Sequence, residues 1–264
     1  AEPAHQAEAA AELLQIDYAE LPAVTASEEA LADGAPVLHE EAPGNRVFVS
    51  ERGDGGAVAA AFEAAAHRVI VEIHNNRLTG AAMEPRGVLA EIDPASGTLI
   101  LRSATQVPHH IRRLVAEQLG RSENHIRVIA ADVGGGFGYK GKHYPEETIL
   151  AWAACKLGRP VKWIAGRGES FVSDTHARDH LTRAELALDG DGRFLGLKVA
   201  TLANLGAYGS TFGAAIPGAI YPSLLAGVYK TPAIHVSVTG VFTNTAPTDA
   251  YRGAGRPEAC LVLE

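Results

Sequence analysis

The chain has 264 residues, 47% hydrophobic and 20% charged, a composition that supports one large or two ordinary globular domains and excludes wholesale disorder and collagen-like repeats. With 31 acidic against 23 basic residues the net charge is −8, so the positive field that would neutralise a nucleic-acid backbone is missing. Cys155 and Cys260 stand far apart without a CxxC, which encodes neither a disulfide framework nor a cysteine-ligated zinc or iron–sulfur site. No apolar stretch is long enough to span a bilayer, and the Ala/Glu-rich start lacks the basic-then-apolar plan of a signal peptide. Met83 is the only methionine and the chain opens on Ala1; with a helix at 257–264 that stops where its apolar face begins, this reads as a segment of a longer protein.

In chain order, residues 1–20 predict a helix followed by a short strand over 13–18 before the Pro22 turn. Residues 33–46 gather Gly, Pro and charge without periodicity, which places a domain boundary near 44–53. A helix over 57–67 and strands over 69–73, 88–92 and 98–101 follow, the last two joined by the Pro94-Ala95-Ser96-Gly97 turn. Pro108 opens and Gly120 closes a helix whose apolar stripe is Ile111, Leu114, Val115 and Leu119. A strand over 125–133 runs into a glycine loop, and a second helix extends from Pro145 to Gly158. Strands over 161–164, on both sides of the Asp189-Gly190-Asp191-Gly192 turn within 181–205, and over 234–242 complete a mixed pattern without repeats.

Three features could carry chemistry. Gly134, Gly135, Gly136 and Gly138 surround Phe137 in a strand-to-helix loop, where missing Cβ atoms let successive backbone N–H groups face an anion or a polar cofactor edge; a tight turn alone needs one or two glycines. Gly136, Gly138 and Gly141 also spell GxGxxG, which opens a nicotinamide-dependent oxidoreductase as an alternative. That motif requires a helix starting inside the fingerprint and an acidic residue about 20 positions further on, and neither is present. The run 250–258 sets Arg252 and Arg256 around Gly253 and Gly255 before a helix, suited to an oxyanion unless nearby carboxylates pair with the arginines. Gln106, ahead of Pro108, can both donate and accept towards an oxo or hydroxyl ligand, or serve as a plain turn residue. His176 and His180 would share a face only if their stretch were helical; glycines 166 and 168 argue for an irregular loop, and no HExxH or Gly-x-Ser-x-Gly is present.

Taken in order, ATQxPH at 104–109, DVGGGFG at 132–138, RPVKW at 159–163, HARDH at 176–180 and AYRGAGRPE at 250–258 resemble the molybdenum-binding large subunit of the xanthine dehydrogenase/aldehyde oxidase family of molybdenum hydroxylases, with Met83-Glu84-Pro85-Arg86 adding to the match. The resemblance covers essentially the whole chain and points to the branch similar to aerobic carbon monoxide dehydrogenase but without its copper. It implies an α+β fold: the end of an α/β-hammerhead domain over 1–44, then a molybdopterin-binding domain of mixed sheets and helices over 53–264, incomplete at its C-terminal end. The implied cofactor is molybdenum–molybdopterin, in its cytosine dinucleotide form, oriented by hydrogen bonds and dipoles with no direct side-chain ligand to the metal.

By the same resemblance, Gln106 hydrogen-bonds an oxygen of the metal, Gly135, Gly136, Phe137 and Gly138 line the metal–pterin edge, and Arg252 belongs to the loop beside the metal. Gly141, Gly253 and Ala254 fall in the substrate pocket. The implied reaction is oxidation of an aldehyde or N-heteroaromatic compound with water-derived oxygen, its general-base glutamate lying beyond Glu264, so that this segment is inactive alone. Electrons would pass to a [2Fe–2S] small subunit and an FAD medium subunit in a cytoplasmic dimer of heterotrimers. Gly253 replaces the cysteine that binds copper in the carbon monoxide enzymes, which argues against that substrate; Gly141 and Ala254 replace the glutamate and the aromatic ring of the xanthine enzymes, which argues against purine recognition of that kind. A non-catalytic cofactor-carrying module is the alternative from another class.

Overall fold

A computed structural model describes residues 3–264. Helix α1 (Ala4–Glu12) leads to an extended stretch, and the strand expected over 13–18 does not form: Leu13, Leu14, Ile16 and Tyr18 are exposed and no neighbouring strand supplies a partner, without which an extended segment has no ladder to join. Helix α2 (Ser27–Ala30) then packs Ala30 and Val24 against Val241. Val24 exchanges hydrogen bonds with Asn244, and buried Asn45 spans the turn by donating to the Ala30 and Pro36 carbonyls and accepting from Leu38 N–H. The boundary stretch holds strand β1 (Arg46–Gly53) where a linker was expected, because its backbone pairs antiparallel along an open sheet edge.

That sheet has five strands. Helix α3 (Gly55–Ala64) follows β1, with Asp54 accepting from Ala57 N–H as its N-cap; β2 (His67–Asn75) is the far edge. The short β3 (Leu78–Thr79) precedes β4 (Gly87–Ile92) and β5 (Leu99–Ser103), an antiparallel pair. Helix α4 (Pro108–Leu119) starts on proline and ends at Gly120 in the left-handed conformation, then β6 (Ile126–Ile129) returns parallel to β5. This strand is shorter than the apolar run predicts, because the chain peels away to build the glycine loop. Helix α5 (Pro145–Leu157) and β7 (Val161–Ile164) complete a four-stranded sheet ordered β6-β5-β4-β7. Its inner face closes on α4 and α5 through Ala90, Leu99, Leu101, Ile111, Val115 and Ala151, all fully buried.

Helix α6 (Arg167–Ser173) occupies the stretch expected to be an irregular loop. Strand β8 (His176–Ala177) pairs with β3, and β9 (His180–Leu188), β10 (Phe194–Gly206) and β11 (Ala233–Phe242) run through the middle of the five-stranded sheet, ordered β1-β11-β10-β9-β2. Helix α7 (Arg256–Leu263) and the helical turns at 216–224 cover one face, burying Tyr221, Leu225 and Ala259 against Val199, Val236 and Val238; α3 packs on β10 and β11. The mixed helix–sheet architecture matches the expected α+β class. Among the described residues no helix is long and apolar enough to cross a membrane.

Candidate cofactor site

Three loops meet beside the two sheets: the β5–α4 connection with Gln106, the β6–α5 connection with the glycine loop, and the β11–α7 connection with Arg252. The glycine loop cannot carry side chains where it touches the other two. A Cβ at Gly136 would fall inside the Gln106 carboxamide; one at Gly138, where φ is +101°, would lie 2.6 Å from the Ala250 carbonyl oxygen. Gly138 N–H donates to Gln106 Oε1 at 3.0 Å, and Arg252 N–H donates to the Phe137 carbonyl at 2.8 Å. The Arg252 guanidinium lies over the Phe137 ring, 6.0 Å from its centroid. Gln106, Gly136, Phe137, Gly138 and Arg252, about 150 residues apart at the extremes, thus share one surface.

What these groups leave unused is more telling than what they bind. Among the described residues the Gln106 NH2 group has no acceptor, nor do the backbone N–H groups of Gly136 and Phe137. The Arg252 guanidinium, exposed, pairs with no carboxylate, and Arg256 turns away to the Gly253 carbonyl at 3.1 Å. The result is a cluster of donors of one sign, one of them a permanent cation, with no protein acceptor: a surface for an anionic, oxygen-rich ligand. Gly138 differs from its expected role, since its N–H is already engaged by Gln106. Gly135, at φ +97°, bonds to the Val133 carbonyl and shapes the turn. Gly141 donates to the Gly138 carbonyl at 2.8 Å, so the GxGxxG glycines form a tight turn with no helix starting among them; the next helix waits for Pro145.

The loop is clasped from behind. Glu84 accepts from Gly134 N–H at 2.7 Å and from Lys140 Nζ at 2.9 Å, and its own N–H donates to the Gly134 carbonyl. Burial pushes the Glu84 carboxyl up, but the Lys140 and Gly134 hydrogen bonds outweigh it and hold it below the ordinary range. Lys140, with no exposed side-chain surface, also reaches the Glu84 carbonyl, and its own carbonyl accepts from Gln106 N–H at 3.0 Å and Thr105 Oγ1 at 3.2 Å. One lysine therefore ties the glycine loop to the Gln106 loop.

Arg178, in HARDH, donates to the carbonyls of Tyr251 and Arg252, both at 2.9 Å, and to Glu258 at 3.2 Å. Glu258 is thus a buried partner as well as a first-turn residue of α7. Sequence reasoning assigned no task to Lys140 or Arg178; for Arg178 the available signal was an Arg-Asp pair in a segment without helical or strand periodicity. His176 and His180 do not converge. His176 faces the Phe171 carbonyl at 3.0 Å, while His180 is sealed against Tyr221, where burial lowers its ring to about 4. No group of three or more His, Cys, Asp or Glu among the described residues could hold a metal ion. Gly253 and Ala254 form the turn beside Arg252, at φ +98° and +39°.

Residues 38–264 match the molybdopterin cofactor-binding domain family. The chain belongs to that family. It is 38% identical over 98% of its length to the gamma subunit of the 6-hydroxypseudooxynicotine dehydrogenase complex of Paenarthrobacter nicotinovorans, covering 32% of that protein. It is 35% identical over 97% of its length to the carbon monoxide dehydrogenase large chain of Hydrogenophaga pseudoflava, covering 34%. The crystal structure of quinoline 2-oxidoreductase from Pseudomonas putida 86 superimposes with a TM-score of 0.90 at 38% identity, over 97% of this chain and 32% of that one. The molybdopterin-binding segment thus spans about a third of the length of the relatives it matches.

The donor set fits that cofactor class. A metallopterin would offer phosphate and ring acceptors, and these loops offer amide and guanidinium donors, brought close together because Gly136 and Gly138 carry no Cβ that would collide with Gln106 and Ala250.

Proposed function

We propose that this chain is a cofactor-holding part of the large subunit of a molybdenum hydroxylase that oxidises an N-heteroaromatic compound or an aldehyde, inserting oxygen derived from water. What supports the proposal is that the Gln106 loop, the glycine loop and the Arg252 loop are hydrogen-bonded together while the Gln106 NH2 group, the Gly136 and Phe137 N–H groups and the exposed Arg252 guanidinium have no acceptor among the described residues. When bound, molybdenum–molybdopterin supplies the two-electron redox chemistry and the oxygen transfer. Gln106, whose carbonyl oxygen accepts from Gly138 N–H, would hold the cofactor by donation from its remaining NH2 group. Phe137 and Gly136 would orient the pterin through their backbone N–H groups, Gly135 and Gly138 shape the turn, and Arg252 would offset negative charge on the same ligand. Gly141, Gly253 and Ala254 border the substrate.

The heterocycle reading draws on relatives whose names carry quinoline and pseudooxynicotine, and on Gly253 standing where the copper-binding cysteine of carbon monoxide enzymes would be. In this reading the cofactor is the cytosine dinucleotide form, the general base is a glutamate elsewhere in the large subunit, and a [2Fe–2S] subunit and an FAD subunit receive the electrons in a cytoplasmic dimer of heterotrimers. On the same reading the cofactor domain takes in β1 (Arg46–Gly53), which pairs with β11, and residues ahead of it close an α/β-hammerhead domain. The test is Arg252→Ala in the complete enzyme: molybdenum per large subunit is expected to fall roughly 10- to 100-fold in relative affinity, together with turnover of quinoline-type substrates. Unchanged metal content and turnover would reject the assignment.

A further inference from the structure

We propose that Arg178 is a positioning residue for the cofactor, holding the Arg252 loop in its binding shape through the backbone; this rests on Arg252 facing the metallopterin. The side chain is 5% exposed and its side-chain hydrogen bonds run into one short stretch of chain: the Tyr251 and Arg252 carbonyls in the β11–α7 connection and Glu258 in the first turn of α7. It also lies 5.2 Å from the Tyr251 ring centroid. The Arg252 peptide is therefore gripped on both sides, its N–H by the Phe137 carbonyl and its C=O by Arg178, while its guanidinium stays free. A planar fork with donors in fixed directions suits two successive carbonyls and a carboxylate; a single ammonium does not.

Two further observations say that this grip serves position more than stability. Glu258 Oε2 is buried without a hydrogen-bond partner among the described residues, so the ion pair is incompletely satisfied, the kind of pair that an apolar contact would match or better for stability. Arg178 and Asp179 are consecutive side-chain-bearing residues at φ +66° and +65°, in the left-handed region that such residues avoid. The corner is locked from outside: Arg77 pairs with Asp179 at 2.9 Å and also donates to the Ala246 carbonyl, and Asn204 N–H donates to the Asp179 carbonyl at 3.1 Å. A strained corner, pinned on its far side, points one guanidinium at the loop that carries another.

The experiment uses the full-length large subunit in its complex, from cells grown with and without molybdate. Arg178→Lys keeps the charge opposite Glu258 but not the fork. The double variant R178Q/E258Q removes the grip without stranding a buried charge, and covers the case in which the lysine variant does not accumulate. Glu258→Gln alone keeps both carbonyl bonds. Deuterium uptake of the 250–256 segment in the molybdenum-free protein is expected to rise about tenfold or more in the first two variants, with β10 and β11 unchanged, and to match the parent in Glu258→Gln. Molybdenum affinity should fall roughly 10- to 100-fold in the same two variants only. Parent-like uptake and metal content in either grip-deficient variant would overturn the proposal. If Arg252→Ala itself retains its metal, the functional reading fails, while the uptake measurement still decides whether Arg178 holds the loop.

Discussion

Two arginine-centred regions of this molecule are built on opposite terms. Around Arg86 every charge is answered: the guanidinium, 5% exposed, donates to Asp174 at 2.5 Å, to both oxygens of Glu146 at 2.9 and 3.1 Å and to Ser173, and stacks 3.7 Å from the centroid of the Tyr144 ring. The two carboxylates hold its pKa above the ordinary arginine value even though burial acts first and in the opposite sense. Around Arg252 the charge is exposed and unanswered, and the amide donors beside it are equally idle. Residue type does not separate a paired arginine from an unpaired one; the accounting of donors against acceptors does.

The comparison breaks hardest at Arg86. Arg86→Met should destabilise the large subunit by about 3–5 kcal/mol in denaturant titration, because buried Asp174 and partly buried Glu146 lose their shared cation. Gly136→Ala tests the other region through shape alone. Its methyl must displace the Gln106 carboxamide, so a loss of about 1–3 kcal/mol in thermal unfolding is expected, with weakened molybdenum retention because Gln106 loses Gly138 as its orienting partner.

Glu147, near the Arg86 cluster, sharpens the contrast by pH. Burial raises its carboxyl to about 7, against hydrogen bonds from Tyr144 N–H and Ser103 that act to lower it. The folded chain therefore holds a proton that the unfolded chain releases near 4.5, and stability falls as pH rises from about 4.5 through 7. Glu147→Gln imitates the protonated form, and its melting temperature should vary less across that window and exceed that of the parent at pH 8. An unchanged pH slope would show that the carboxyl is solvated. The smallest stability effect belongs to Arg252→Ala, within about 0.5 kcal/mol, since among the described residues its exposed guanidinium meets only the half-exposed Phe137 ring. A large loss would move it into the same class as Arg86.

The regular elements around both regions were legible because their signals are local. The α4 and α5 helices carry proline at the first position and glycine just past the last, and the β4–β5 hairpin carries its turn residues between apolar runs. The strand expected at 13–18 failed because alternation shows a face, not a partner. The boundary expected near 44–53 instead contains an edge strand, because Gly and charge serve a sheet edge as well as a linker.

For the site, Gln106, the glycine loop and Arg252 stood out in the sequence because their residue types are unusual for the turns they occupy and because their order resembles one family. Their meeting, the engagement of Gly138 by Gln106, and the clasping roles of Glu84, Lys140 and Arg178 came only from the folded chain. Hydrophobic period, caps and missing side chains are written residue by residue, whereas whether a buried charge is paired depends on groups tens to hundreds of positions away. The tertiary structure alone decides which donors are spent on the protein and which are left for a ligand.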